Sequence, residues 1–168
     1  MWTDKRTGLP PLDPSTKTAK ASGRGSVRTL PDPSIYEMRQ MTVTQVRASM
    51  HAIVSTIRSM SRTAAVIFIV SPIPLALSAS DQPVFVADCL SKSALRVAID
   101  ELRREELPSD VYYFPSFEIL RWFATMVDPI WGADGLWGHV RHDWIEYTIS
   151  KFRQFYCEGE TPISPPIP

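Results

Sequence analysis

Four short clusters hold the side chains that could carry chemistry: Ser71-Pro-Ile-Pro-Leu75, Ser91-Lys-Ser93, Tyr112-Tyr-Phe-Pro-Ser-Phe-Glu118 and Asp134-Gly-Leu-Trp-Gly-His-Val-Arg-His-Asp143. Ser71 and Ser116 are hydroxyl nucleophiles by type, and His139 offers an imidazole that titrates near neutrality and can take a proton from a hydroxyl. Pro72 follows Ser71 and lacks the backbone N–H that a nucleophile elbow uses, so the expected role of Ser71 is to cap or line a cleft. Ser116, directly after Pro115, is expected as a helix N-cap. Lys92 and Glu118 either face each other across a cleft to orient a polar substrate or form a structural ion pair. No metal is expected, because His139 and His142 stand only three apart with Asp143 and no distant third ligand, while Cys89 and Cys157 have no metal spacing. No cofactor is implied.

Elements that would position these clusters can be read from the apolar pattern. Ala64-Ala-Val-Ile-Phe-Ile-Val70 is a β-branched and aromatic run that stops at Ser71-Pro72-Ile73-Pro74, the pattern of a strand buried on both faces that must leave its sheet there. In open α/β sheets ligands bind at such carboxyl ends. Before it, Thr42-Val-Thr-Gln45 forms a capping box with Met41 and Val46 as its hydrophobic staple. Val46, Met50, Ile53, Ile57 and Met60 draw the apolar stripe of that helix and leave His51 in solvent. After Leu75 an irregular stretch with an extended piece at 83–86 is expected to lead into a helix from Ser91 to about Glu106. Its buried face holds Ala94, Leu95, Ala98 and Leu102, and Arg96, Asp100, Arg103 and Arg104 point to water. Leu107-Pro-Ser-Asp110 breaks it. Val111-Tyr-Tyr-Phe114, ended by Pro115, is a second strand, and strand, helix, strand is the order of a βαβ crossover. A helix over 116–126, a Gly- and Asp-rich loop over 127–135 and a last helix over 142–156 complete the pattern.

Composition bounds the setting. In 168 residues, 44% are hydrophobic and 21% charged, which is ordinary for one soluble globular domain. Residues 1–41 form a Pro-rich loop or arm, basic through Lys5, Arg6, Lys17, Lys20, Arg24 and Arg28. No aromatic residues interleave with those charges, so nucleic acid is not an expected partner. The tail 158–168 carries four prolines in its last seven residues and is expected to be disordered. The amino terminus shows no secretory pattern, and the longest apolar run is too short to span a bilayer. The cysteine usage fits a reducing compartment. The expectation is a soluble, cytoplasmic protein without a membrane partner.

Taken in order and spacing, the four clusters resemble the GSCFA family, a branch of the SGNH-hydrolase superfamily. In that family a V-S-P-hydrophobic-P-L strand end is followed by S-K-S-x-L-R, by Y-F-P-S-[YF]-E, and by an Asp and an Arg-His-Val before a last helix. Trp2-Thr-Asp-Lys-Arg-Thr-Gly8 is similar to a further segment of it. The resemblance implies a three-layer α/β/α, flavodoxin-like domain over 42–157 and serine acyl transfer on a small-molecule or carbohydrate ester. It assigns the general base to His139 and the ring-holding carboxylate to Asp134, with Ser71, Lys92, Tyr113 and Glu118 toward the substrate. The superfamily places its Asp three residues before the His, where this chain has Leu136, and Gly138 stands where an Arg precedes the His.

The family's Gly-Ser-Cys-Phe-Ala block, which carries its nucleophilic serine, does not occur in these residues. It would precede Met1, together with further strands of the sheet. The expectation is therefore an incomplete parallel sheet that is inactive alone and self-associates, or takes up an upstream fragment, through its exposed edge. The alternative is a non-catalytic remnant or interaction module.

Overall fold

The computed structural model describes residues 2–7, 16–19, 28–32, 34–76, 78, 80–104, 110–132, 134–135 and 138–157. The tail 158–168, the helix break at 107–109, Leu136, Trp137, Lys20 and Arg24 lie outside the described residues. Within the proline-rich arm, long regular structure is absent among the described residues but four short strands form. β1 (Trp2–Asp4) pairs antiparallel with β4 (Tyr36–Met38), and β2 (Thr16–Ala19) with β3 (Arg28–Pro31). Asp32 turns the chain into β4 by accepting from the backbone N–H and hydroxyl of Ser34. Proline limits such strands to edges, which is where two-stranded pairs leave it.

Helix α1 (Val43–Met60) starts at the capping box: Thr42 Oγ1 accepts from Gln45 N at 3.2 Å and Gln45 Oε1 from Thr42 N at 3.0 Å. Its buried stripe runs through Val46, Met50 and Val54, with Ile57 partly buried, whereas Ile53 and Met60 face solvent. Val46, Met50 and Ile57 of the expected stripe face the core shared with the neighbouring helix, and Val54 replaces Ile53 there. Helix α2 (Val84–Arg104) starts well before Ser91. The backbone of Val86 and Ala87 donates to Pro83 O, so the residues expected as an extended piece are the first turn of a helix. A proline just ahead of a helix loses nothing by lacking an N–H, and that outweighs the strand propensity of Val-Phe-Val.

Strands β5 (Val66–Ile69) and β6 (Val111–Phe114) pair parallel in the register Val66↔Val111 to Ile69↔Phe114, joined through α2. Val66, Phe68, Val111 and Tyr113 join α1 and α2 in one core with Val46, Met50, Val54, Ala98, Ile99 and Leu102. Tyr112 and Phe114 point to the opposite face. There Phe152 and Tyr156 of α5 (His142–Tyr156) meet them edge-on, with ring centroids 5.2 Å apart for Phe114 and Phe152. Helices therefore cover β6 from both sides. β5 departs from the expected double burial: Ile69 is 52% exposed, because alternation sends it to the α5 side and the α5 aromatics reach only β6. Among the described residues β5 has β6 as its sole partner. The architecture is mixed α/β with one parallel pair.

After β6 the chain is helical from Ser116 to Val127, but not uniformly. A turn α3 (Ser116–Glu118) runs into a π-helical segment (Ile119–Ala124) and ends in α4 (Thr125–Val127). Ser116 is not its N-cap. Pro115 holds that position, and the buried Ser116 hydroxyl donates to Val70 O at 3.2 Å, tying the start of the helix to the end of β5. A second core gathers Leu120, Ala124, Ile130 and Trp144 where α5 crosses this segment.

Candidate active site

The loop 128–141 is held at its root. Trp131 and Val140 form an isolated antiparallel bridge, Gly132 N donates to His139 O at 2.9 Å, and Arg141 N donates to Ile130 O at 2.8 Å. Arg141 also clamps both ends, pairing with Asp128 and holding Asp143 with Nε and Nη2 at 2.8 and 2.7 Å. Its hydrogen bond to Asp143 raises the guanidinium above its usual value and lowers the Asp143 carboxyl. Asp143 in turn accepts from Trp144 N at the first turn of α5.

On that frame Asp134 reaches back to His139, with Oδ2 2.9 Å from Nδ1. A five-residue separation can close this way because Gly135 and Gly138 take φ of +78° and +82°, a region L side chains rarely adopt. An ionised carboxylate only accepts, so Nδ1 donates to it, and in the neutral imidazole the lone pair is then on Nε2. The two side chains are 58% and 52% exposed and open on a cleft of about 360 Å³ lined also by Val140, Arg141, His142 and Ile145. Arg141 stands at the N-cap position of α5, with no side-chain cap hydrogen bond. His142 projects into solvent toward Glu146 at 3.5 Å.

Beside this loop lies the exit of β5. Ser71 is exposed, and its Oγ accepts from Ile73 N at 3.3 Å, closing a turn around Pro72. Pro74 reaches the loop itself: a Cβ on Gly138 would sit 4.0 Å from Pro74 Cδ. The exit is fastened from behind by Asp88, which is buried and accepts from Leu75 N at 2.9 Å and from Arg121 Nη2 at 2.6 Å. Arg121 Nη1 donates to Pro72 O at 3.3 Å.

A model of the GSCFA family matches residues 17–152, from β2 into α5. The chain belongs to the GSCFA family. No curated protein and no solved structure matches it. Within this GSCFA chain Lys92 and Glu118 do not face each other. Glu118 accepts from Arg96 Nε at 2.7 Å and from the Tyr113 hydroxyl at 2.6 Å, and Arg96 lies over the Tyr113 ring. Arg96 was expected in water; it instead bridges α2 to β6 and α3. Burial, with the Glu118 carboxylate, pushes the Tyr113 phenol well above its usual range. Lys92 lies one turn before Arg96 and is buried near Asp88 and Arg121; burial pulls its ammonium below the usual lysine value while Asp88 opposes that shift. Tyr113 and Glu118 are thus part of a packed polar clamp at the end of β6, apart from the residues lining the His139 cleft.

Asp88 and Arg121 are the residues that the sequence reading passed over. Each is a lone charge in an apolar run, Val84-Phe-Val-Ala-Asp88 and Ile119-Leu-Arg121-Trp-Phe, and a buried charge in such a setting needs a partner. Reading 83–86 as extended hid the helix that would have aimed Asp88 inward. Among the described residues no group of three His, Cys, Asp or Glu is placed to hold a metal ion. No helix among them is long and apolar enough to cross a membrane.

Proposed function

We propose that this chain supplies the base end of an SGNH-type serine acyl transfer on acyl esters, including carbohydrate-linked ones. The observation that carries the reading is the 2.9 Å contact between Asp134 Oδ2 and His139 Nδ1 in an open cleft beside the exit of a parallel strand. Asp134 fixes the tautomer, and His139 Nε2 takes the proton of a serine hydroxyl as that oxygen attacks the ester carbonyl. The same proton then goes to the leaving alkoxide, and a second cycle with water frees the acyl group. The serine and its oxyanion-hole amides come from a segment bearing the Gly-Ser-Cys-Phe-Ala block, outside these 168 residues. That segment docks along the edge of β5 opposite β6, unpaired among the described residues, and completes a three-layer α/β/α domain with further parallel strands.

Turnover separates the possibilities. The 168-residue chain alone is expected to hydrolyse no p-nitrophenyl acetate and to take no fluorophosphonate label, and a homologous segment bearing the block is expected to restore both in trans. Stoichiometric labelling of Ser71 or Ser116 in the chain alone would contradict the reading. A second reading, a non-catalytic interaction module, is favoured by the half-exposed Ile69, which leaves an apolar docking face without chemistry. Binding of the segment with no turnover would select it.

The same edge governs association. A parallel strand with one partner among the described residues and an apolar outer face is a template for another chain. Sedimentation of the chain alone is expected to show oligomers that the added segment converts to a one-to-one complex. A monodisperse monomer with one cooperative thermal transition would contradict this use of β5.

A further inference from the structure

We propose that the cleft between the β5 exit loop and the Gly138 turn is a subsite for a carboxylate-bearing group of the substrate, with Arg121 as the residue that binds it. The proposal rests on reading Asp134 and His139 as the base of an acyl-transfer site, since it places a substrate group next to them. The cleft holds about 270 Å³ and is lined by Pro74, Arg121, Trp131 and Gly138. Complete ligand sites run to roughly 300–1,000 Å³, so this one takes a single group of a larger molecule. Gly138 lines it, and the next residue, His139, lines the cleft of the Asp134 contact, so consecutive residues of one loop present the two clefts. Trp131, Pro74 and the side-chain-free Gly138 make apolar walls. Arg121 is the one ionised residue among the four.

Three further features single out Arg121. Its two hydrogen bonds, to Pro72 O and Asp88 Oδ2, use a minority of the N–H groups of a guanidinium, and a quarter of the side chain (25%) remains exposed. A guanidinium with open N–H groups matches a carboxylate in a bidentate geometry that a neutral ester or amide cannot reproduce. Charge points the same way. One buried carboxylate, Asp88 at 3% side-chain exposure, stands against two cations, Arg121 and the 8% exposed Lys92. That imbalance favours a second anion at the accessible member of the group. The segment presenting Arg121 is π-helical over Ile119–Ala124, a rare geometry that is frequent at functional sites. Substrates are therefore esters with a free carboxylate a short distance from the scissile bond.

Propionate and propionamide, which share shape and differ in charge, test the subsite directly on the full 168-residue chain labelled with ¹⁵N. Propionate is expected to shift the Trp131 indole N–H and the Gly138 amide saturably, with propionamide at least tenfold weaker. Arg121→Gln should remove the propionate response. Because that change also strips Asp88 of a partner, Lys92→Met serves as a second variant: it leaves Arg121 in place and should weaken propionate several-fold with propionamide unchanged. Equal responses to the two probes, or a propionate response unaltered in both variants, would overturn the subsite. The binding readout needs no turnover, so an inactive chain that prefers propionate keeps the subsite and counts only against the acyl-transfer reading. Restored turnover with no preference for carboxylate-bearing esters would remove the subsite and leave that reading in place.

Discussion

His139→Ala is expected to lower ester hydrolysis by the assembled enzyme at least about 10⁴-fold, to the residual rate that binding and an oxyanion hole sustain without the base. The effect is on kcat, since the imidazole acts only as the proton moves, and KM should change little. Asp134→Asn should cost about 10²-fold or more, because an amide donates toward Nδ1 and turns the lone pair away from the serine. His142→Ala and His51→Ala should stay within a few-fold of the parent. Among the described residues His142 pairs with Glu146 in solvent, and His51 meets Ser55 on the exposed face of α1. If His142→Ala were the inactivating change, the base would lie one turn further on and the Asp134 contact would be incidental.

The second large effect is on stability. Asp88→Ala is expected to cost about 3 kcal/mol, the lower end for breaking a buried ion pair because Arg121 is a quarter exposed. It strands the Arg121 guanidinium, leaves Leu75 N without its acceptor, and removes the one carboxylate offsetting Lys92. For a domain of this size the melting midpoint should fall by roughly 10 °C. Asp88→Asn, which keeps an acceptor for Leu75 N, should lose less. Urea unfolding of the three proteins decides the matter. An Asp88→Ala change within about 0.5 kcal/mol of zero, the range of ordinary surface substitutions, would mean that the exit loop is held by packing alone.

Local chemistry made much of the fold legible before any coordinates. The Thr42–Gln45 box, both parallel strands and the bounds of α5 follow from caps, prolines and apolar runs that act within a few residues. What was not legible depends on contacts across the chain. Ile69 reads as core but is half exposed, because coverage of a strand face is decided by where α5 lands. Ser116 reads as an N-cap, yet its hydroxyl finds Val70 O, forty-six positions away. Lys92 and Glu118 read as facing partners, but helical spacing gives Glu118 to Arg96, one turn on. Asp134 and His139 stand five apart, not the three that the SGNH resemblance implies, and two positive-φ glycines, each visible in the sequence, are what let the carboxylate fold back.

In the proposed mechanism His139, oriented by Asp134, activates a serine supplied by the docked Gly-Ser-Cys-Phe-Ala segment. The rate at which a fluorophosphonate labels that serine in the assembled protein measures this activation directly, without substrate binding or product release. With the parent chain the serine should label readily. With His139→Ala it should label at least about 100-fold more slowly, and with His142→Ala at the parent rate. Equal labelling rates with the parent and His139→Ala chains would place the base elsewhere and contradict the assignment.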